Sequence, residues 1–155
     1  MLTREFVEEV EQVIFKDYEL SDKKKKIYKK IVKLLAESST CDRAKVGCLI
    51  LKEGRIVATG YNGSLPGYEH CDKVGHLMHE GHCVRTVHAE QNALMFMSKH
   101  GISSKGCDMI VTHMPCIVCM KLIVQSGIKR VYHIEDYRNN PIMNNFNGKI
   151  ELEKI

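Results

Sequence analysis

Two short clusters of ligating side chains, each at the start of an expected helix and separated by one expected strand, constrain this chain more than anything else in it. His88 and Glu90 stand in HAE, and Cys116 and Cys119 stand in PCIVC, 28 residues after the histidine. The first helix is predicted from about Val87 to Lys99, stopping before Gly101. CDMIVTH then reads as a strand, Pro115 suits the edge of a first helical turn, and CIVCMKLIVQS reads as a helix ended by Gly127. IKRVYHI is the next strand, and upstream VGCLIL and RIVATGY flank the turn signal Glu53-Gly54 as a hairpin. The order strand-strand-helix-strand-helix-strand predicts an α/β layered fold, with the later strands parallel and buried.

Cys116 and Cys119 are three apart on a helix, so their sulfurs share one face within reach of one ion. They lie in the first turn, where free N–H groups and the helix dipole favour thiolates. A parallel layout puts the helix start at His88 beside them. One imidazole and two thiolates leave the fourth tetrahedral position of Zn²⁺ open, which separates a catalytic site from a structural one, and such a metal lowers the pKa of bound water towards ~7. Glu90, two residues beyond His88, is placed to carry protons without being needed as a ligand.

Length and composition allow this chemistry. A domain of 155 residues buries roughly 68–70% of its unfolded surface. It needs no disulfide staples. No apolar run approaches the ~20 residues of a membrane span, and Met1-Leu2-Thr3-Arg4-Glu5 lacks the plan of a secretion signal, so a cytoplasmic protein is expected. Seven cysteines in a reducing compartment then point to metal ligation. The net charge of +4 is local: residues 22–33 carry seven lysines and one aspartate, leaving −2 elsewhere. Apolar residues interrupt those lysines at helical spacing, which favours a solvated helix face over a nucleic-acid patch. Phe6, Val7, Val10, Val13 and Ile14 form one apolar helical repeat, and Ile27, Ile31, Leu34 and Leu35 a second. A single domain over 1–155 is expected, with N-terminal helices in 1–40 and a core in 44–137.

HxE with PCxxC is the signature of zinc nucleobase deaminases. Together with GYNG, CVRTVHAE and VTHMPCIVCMKLIVQSGIKRVYHIEDY, it makes the span Cys41 to Tyr137 resemble the deoxycytidylate (dCMP) deaminase family of bacteria and phages. Residues 1–20 fall outside the resemblance. It implies a three-layer α-β-α cytidine-deaminase-like fold with a mixed sheet of about five strands. It also implies hydrolytic deamination of dCMP to dUMP and ammonia, feeding thymidylate synthesis, with Glu90 as proton shuttle and His88, Cys116 and Cys119 on zinc. Asn62 of GYNG matches a nucleoside-binding position, although Asn-Gly is also simply a turn former. Tyr137, Arg85 and Lys45 are candidates for the 5′-phosphate. A hexamer activated by dCTP with Mg²⁺ and inhibited by dTTP is the implied assembly, with no membrane or nucleic-acid partner.

Residues 62–86 show no sustained period and read as a long loop, of a length that is normally functional or metal-braced. His70, Cys71, His76, His79, His82 and Cys83 lie within it. Phage members of the family resemble this chain in carrying a second, structural zinc, which would brace the loop. The expected ligands are Cys41, His70 and Cys83, with a fourth from His82, His79 or Cys71. Cys48 and Cys107 are expected as core thiols. The rival readings are another deaminase of the superfamily (cytidine, dCTP or tRNA-editing) and a zinc-stabilised interaction module without turnover. Ten aromatics and the negative balance outside the lysine run count against tRNA.

Overall fold

A computed structural model describes residues 3–14, 17–136, 145 and 149–155. The elements are α1 (Arg4–Ile14), α2 (Asp22–Ala36), β1 (Gly47–Lys52), β2 (Arg55–Tyr61), β3 (Gly63–Ser64), α3 (Cys71–Val74), β4 (Met78–His79), β5 (His82–Cys83), β6 (Thr86–Val87), α4 (Ala89–Lys99), β7 (Asp108–His113), α5 (Ile117–Gln125), β8 (Arg130–Glu135) and β9 (Glu151–Lys154). Five strands form one mixed sheet in the order β2-β1-β7-β8-β9. β1 is antiparallel to β2 and β7, whereas β7, β8 and β9 run parallel.

The central strands are buried on both faces, which is why they read as continuous apolar runs rather than alternations. Alternate residues divide between two cores. Cys48, Ile50, Met109, Val111 and Val131 pack under Ala93, Met97, Met120 and Ile123 of α4 and α5. Leu49, Leu51, Ile110, Tyr132 and Ile134 face α2 through Val32, Tyr28 and Leu35. The result is three layers. Cys48 and Cys107 are buried thiols, as expected.

Two glycines set how closely the helices approach. A Cβ at Gly60 would collide with the carbonyl oxygen of Ala89 and with Ala93, so β2 holds the first turns of α4 at a distance only glycine permits. A Cβ at Gly47 would collide likewise with the Val32 carbonyl of α2.

The long loop is more structured than its lack of period predicts. It holds one turn of helix, α3, the small β4–β5 hairpin, and the β3–β6 pair. The fifth sheet strand, β9, lies beyond the last strand that the apolar pattern locates.

Away from this loop, Asp108, Arg130 and Glu151 open β7, β8 and β9 side by side. Arg130 Nε donates to Glu151 at 2.7 Å, and its Nη1 lies 3.7 Å from Asp108. Burial lifts the Asp108 carboxyl to about 6, against the pull of Arg130. A carboxyl held above its unfolded value binds its proton more tightly when folded, so its ionisation opposes folding; that cost is absent below about pH 4 and complete above about pH 6. Asp108→Asn is expected to remove this fall in stability, on the order of 1–3 kcal/mol, between those limits. Urea midpoints across the range check it, and an unaltered pH slope would refute it.

Candidate metal centre and active site

His88 and Cys116 are the N-cap residues of α4 and α5, each with extended backbone just before the helix begins. Both helices start beside the carboxyl end of β7, so two helix N-termini aim at one point. The His88 backbone N–H donates to the Gln91 side chain at 3.1 Å, which fixes the histidine's backbone. Its Nδ1 lies 3.6 Å from Cys116 Sγ and 3.4 Å from Cys119 Sγ. The three ligand atoms fall within 4.8 Å of one another, and no fourth His, Cys, Asp or Glu joins them among the described residues. This donor set fits a zinc ion that keeps one position for a non-protein ligand.

The electrostatics fit the same ion. The hydrogen bond from Cys119, helped by His88, pulls the Cys116 thiol down to about 4 despite burial. Sharing that proton, and burial, push the Cys119 thiol far up. The pair thus holds one negative charge by itself, and a dication would hold both as thiolates. The Cys116 contact raises His88 against the effect of burial. Glu90 is 4% exposed on the first turn of α4. Burial raises its carboxyl first, with the Cys116 charge adding to it, while His88 and a hydrogen bond with Cys119 oppose.

His88, Glu90 and Cys116 line a cavity of about 270 Å³ whose wall also includes Arg43, Asn62, His82, Cys83 and His113. Asn62 is on that wall, but its amide is engaged within the chain. Oδ1 accepts from Val46 N at 2.8 Å, and Nδ2 donates to the Ala44 carbonyl at 2.7 Å. It therefore ties down segment 41–46, which carries Arg43. Lys45 and Arg85 are not on the cavity wall. Lys45 pairs with Glu37 at 2.8 Å, and Arg85 donates to the Gly75 carbonyl at 3.1 Å. Tyr137 lies outside the described residues. Arg43, which the sequence did not single out, is the arginine on the wall, where its guanidinium contacts Met78 Sδ at 2.8 Å and donates to the Gly81 carbonyl at 3.4 Å.

A second cluster sits directly behind this wall. Cys41, Cys71, His76 and Cys83 bring their ligand atoms within 4.8 Å of one another. Cys41 Sγ is 3.6 Å from His76 Nδ1, and Cys71 Sγ is 3.6 Å from Cys83 Sγ. His76 Nε2 lies 3.1 Å from the Asp42 carboxylate, an orientation that leaves Nδ1 to face the sulfurs. Burial pushes the Cys71 thiol up to about 12. Burial also raises Cys83, but backbone hydrogen bonds from Arg85 and Leu77 and the contact with His76 bring it to about 7. Three of the expected ligands, Cys41, Cys71 and Cys83, are here. His70 and His82 are not: His70 caps α3, and His82 stands opposite His79 on the β4–β5 hairpin. His76 replaces them because Gly75, with φ of +79°, turns the chain back after α3.

Residues 21–135 match the family described as cytidine and deoxycytidylate deaminase zinc-binding region. The chain belongs to this family. Among curated relatives of these deaminases, ComE operon protein 2 of Bacillus subtilis is 51% identical over 108 residues, covering 70% of this chain and 57% of that protein. The chain thus spans little more than half of that relative. Deoxycytidylate deaminase of enterobacteria phage T2 is 35% identical over 148 residues, covering 71% of this chain and 79% of the phage protein. The solved dCMP deaminase of cyanophage S-TIM5, in complex with dCMP and dUMP, superposes with a TM-score of 0.77 at 34% identity, covering 88% of this chain and all of that one. The mixed five-stranded sheet is therefore the fold of this deaminase family. Among the described residues no helix is long and apolar enough to cross a membrane.

Proposed function

We propose that this protein is a zinc-dependent deaminase that converts dCMP to dUMP and ammonia, supplying precursor for thymidylate. The observation that carries the reading is the trio His88, Cys116 and Cys119 with buried Glu90 beside it, His88, Cys116 and Glu90 standing on one cavity wall. The three ligands would hold zinc, which when bound supplies a water activated at neutral pH. Glu90 accepts a proton from the attacking water and delivers it to N3 of the cytosine ring. That addition forms the C–O bond at C4; Glu90 then takes the proton of the new C4 hydroxyl and passes it to the amino group, so that the C–N bond breaks, ammonia leaves and the carbonyl of uracil remains. A carboxyl raised by burial suits both halves of that transfer.

Arg43 and His82, on the cavity wall, are the groups we assign to the 5′-phosphate, in place of Lys45 and Arg85. Arg43→Ala is expected to raise KM for dCMP by about 10- to 100-fold, the loss of one charge-assisted contact, with a small change in kcat and none in the slow turnover of cytidine. Equal effects on both substrates would remove the assignment.

The cluster at Cys41, Cys71, His76 and Cys83 is read as a closed structural zinc site, with Asp42 orienting His76. Thiolate ligands accord with a reducing, cytoplasmic setting. A hexamer with dCTP and Mg²⁺ activation and dTTP inhibition completes the reading. The relative sharing 51% identity bears an operon name and no activity, so a zinc-stabilised module without turnover is the second reading. Buried Glu90 opposes it, because a structural site needs no carboxylate beside an open position. Loss of the cytosine absorbance band on mixing the zinc-loaded protein with dCMP, cytidine and dCTP separately tests the proposal. No loss with any of them would favour the second reading.

A further inference from the structure

We propose that helix α1 of one copy of this chain docks along the outer stripe of α2 on a second copy. The inference is independent of the chemistry proposed above. α1 makes no substantial contact with any other element among the described residues. It exposes Phe6 and Val7, with Val10 half-buried, on one face; Glu5 and Glu9 run along the edge of that face, and Glu8 pairs with Arg4 at 3.0 Å. An isolated helix of eleven residues is marginal in water, so its apolar face calls for a partner.

α2 carries two stripes. Val32 and Ala36 are buried against the sheet, as the core requires. Ile27, Ile31 and Leu34 form a second row at i, i+4 and i+7, exposed by 44%, 37% and 72%. Beside that row run Lys23, Lys26, Lys30 and Lys33, which have no acidic partner among the described residues. The other lysines of the helix are engaged at home: Lys24 with Tyr18, Lys25 with Glu153, and Lys29 with the Ile155 carbonyl. The two unpartnered faces match in kind. Aliphatic and aromatic side chains meet aliphatic ones, and a glutamate edge meets a lysine edge.

The link to α2 argues for a second copy rather than the same one. Asp17 pairs with Lys129, the Tyr18 ring packs over Gly54, and Leu20 is buried beneath α2. The chain is thus pinned on the sheet side of α2, with only two residues between Ile14 and that pin. Too little chain remains for α1 to fold back over the outer stripe. The glutamates also oppose an anionic lipid surface. A nucleic acid would engage the lysines yet leave both apolar rows in water. Two copies exchanging α1 reciprocally would bury both contacts under one two-fold axis.

Sedimentation of the full-length, zinc-loaded protein tests the proposal. Leu34→Glu and, separately, Phe6→Glu are expected to weaken association by about tenfold or more. Lys26→Glu with Lys30→Glu should do the same, and adding Glu5→Lys with Glu9→Lys to that variant should restore the assembled mass. Circular dichroism and dCMP turnover, measured alongside, show that each variant has folded. A monomeric parent protein, masses unmoved by every variant, or lysine reversal without rescue would each overturn the proposal. So would binding to anionic vesicles or duplex DNA that the lysine variants abolish while the mass stays unchanged.

Discussion

Glu90→Gln is expected to lower kcat for dCMP by about 10²- to 10⁴-fold while leaving the zinc content and the fold intact. The amide keeps the shape of the carboxyl but cannot carry a proton between water, ring nitrogen and leaving group. Stability should hold, because the amide fills the same space as the buried carboxyl and the packing around it is kept. The combination separates a proton carrier from a packing residue, since a packing residue would lower melting temperature and rate together. Absorbance assays, metal analysis and thermal melts on the same preparation make the comparison. A variant that turns over within tenfold of the parent would end the assignment.

The second large effect concerns the cluster behind the cavity. His76→Ala and Cys83→Ser are each expected to reduce the zinc content from about two to about one per chain. Breaking a closed four-ligand site costs several kcal/mol, and at about 2–4 °C per kcal/mol the melting temperature should fall by about 10 °C or more. KM for dCMP should rise as well, because Cys41 and Cys83 are also on the substrate-cavity wall. His70→Ala should leave the metal content unchanged. The opposite pattern, with His70 essential and His76 dispensable, would show that the loop closes on its metal differently.

Those two experiments bear on parts of the molecule that were unequally legible in the sequence. His88, Glu90, Cys116 and Cys119 sit at helix starts flanked by strongly patterned strands, so short-range rules bring them together: i to i+3 on one helix, and neighbouring starts across a parallel crossover. β1, β7 and β8 were legible from their doubly buried runs, and the turn signal Glu53-Gly54 joined the β-branched β2 to β1. β9 was not, since ELEK has no apolar stripe. It is an edge strand, and edges are kept charged to discourage further pairing. The second cluster shows a different difficulty. Six ligating side chains crowded into fourteen residues announce a metal, but only the path of the backbone selects among them. The one signal for His76 was the glycine before it. Arg43 carried no signal, because its place on the cavity depends on Asn62 gripping the segment from another part of the chain.

The close approach at Gly60 has a consequence for how the molecule breathes. β2 and the start of α4 touch backbone to backbone, with no side chain between them to act as a cushion. Neither can loosen alone, so hairpin and helix should open and exchange their amide protons as one cooperative unit. The imidazole just ahead of that helix then inherits the slow exchange of the strand pair, and its position is as durable as the hairpin itself.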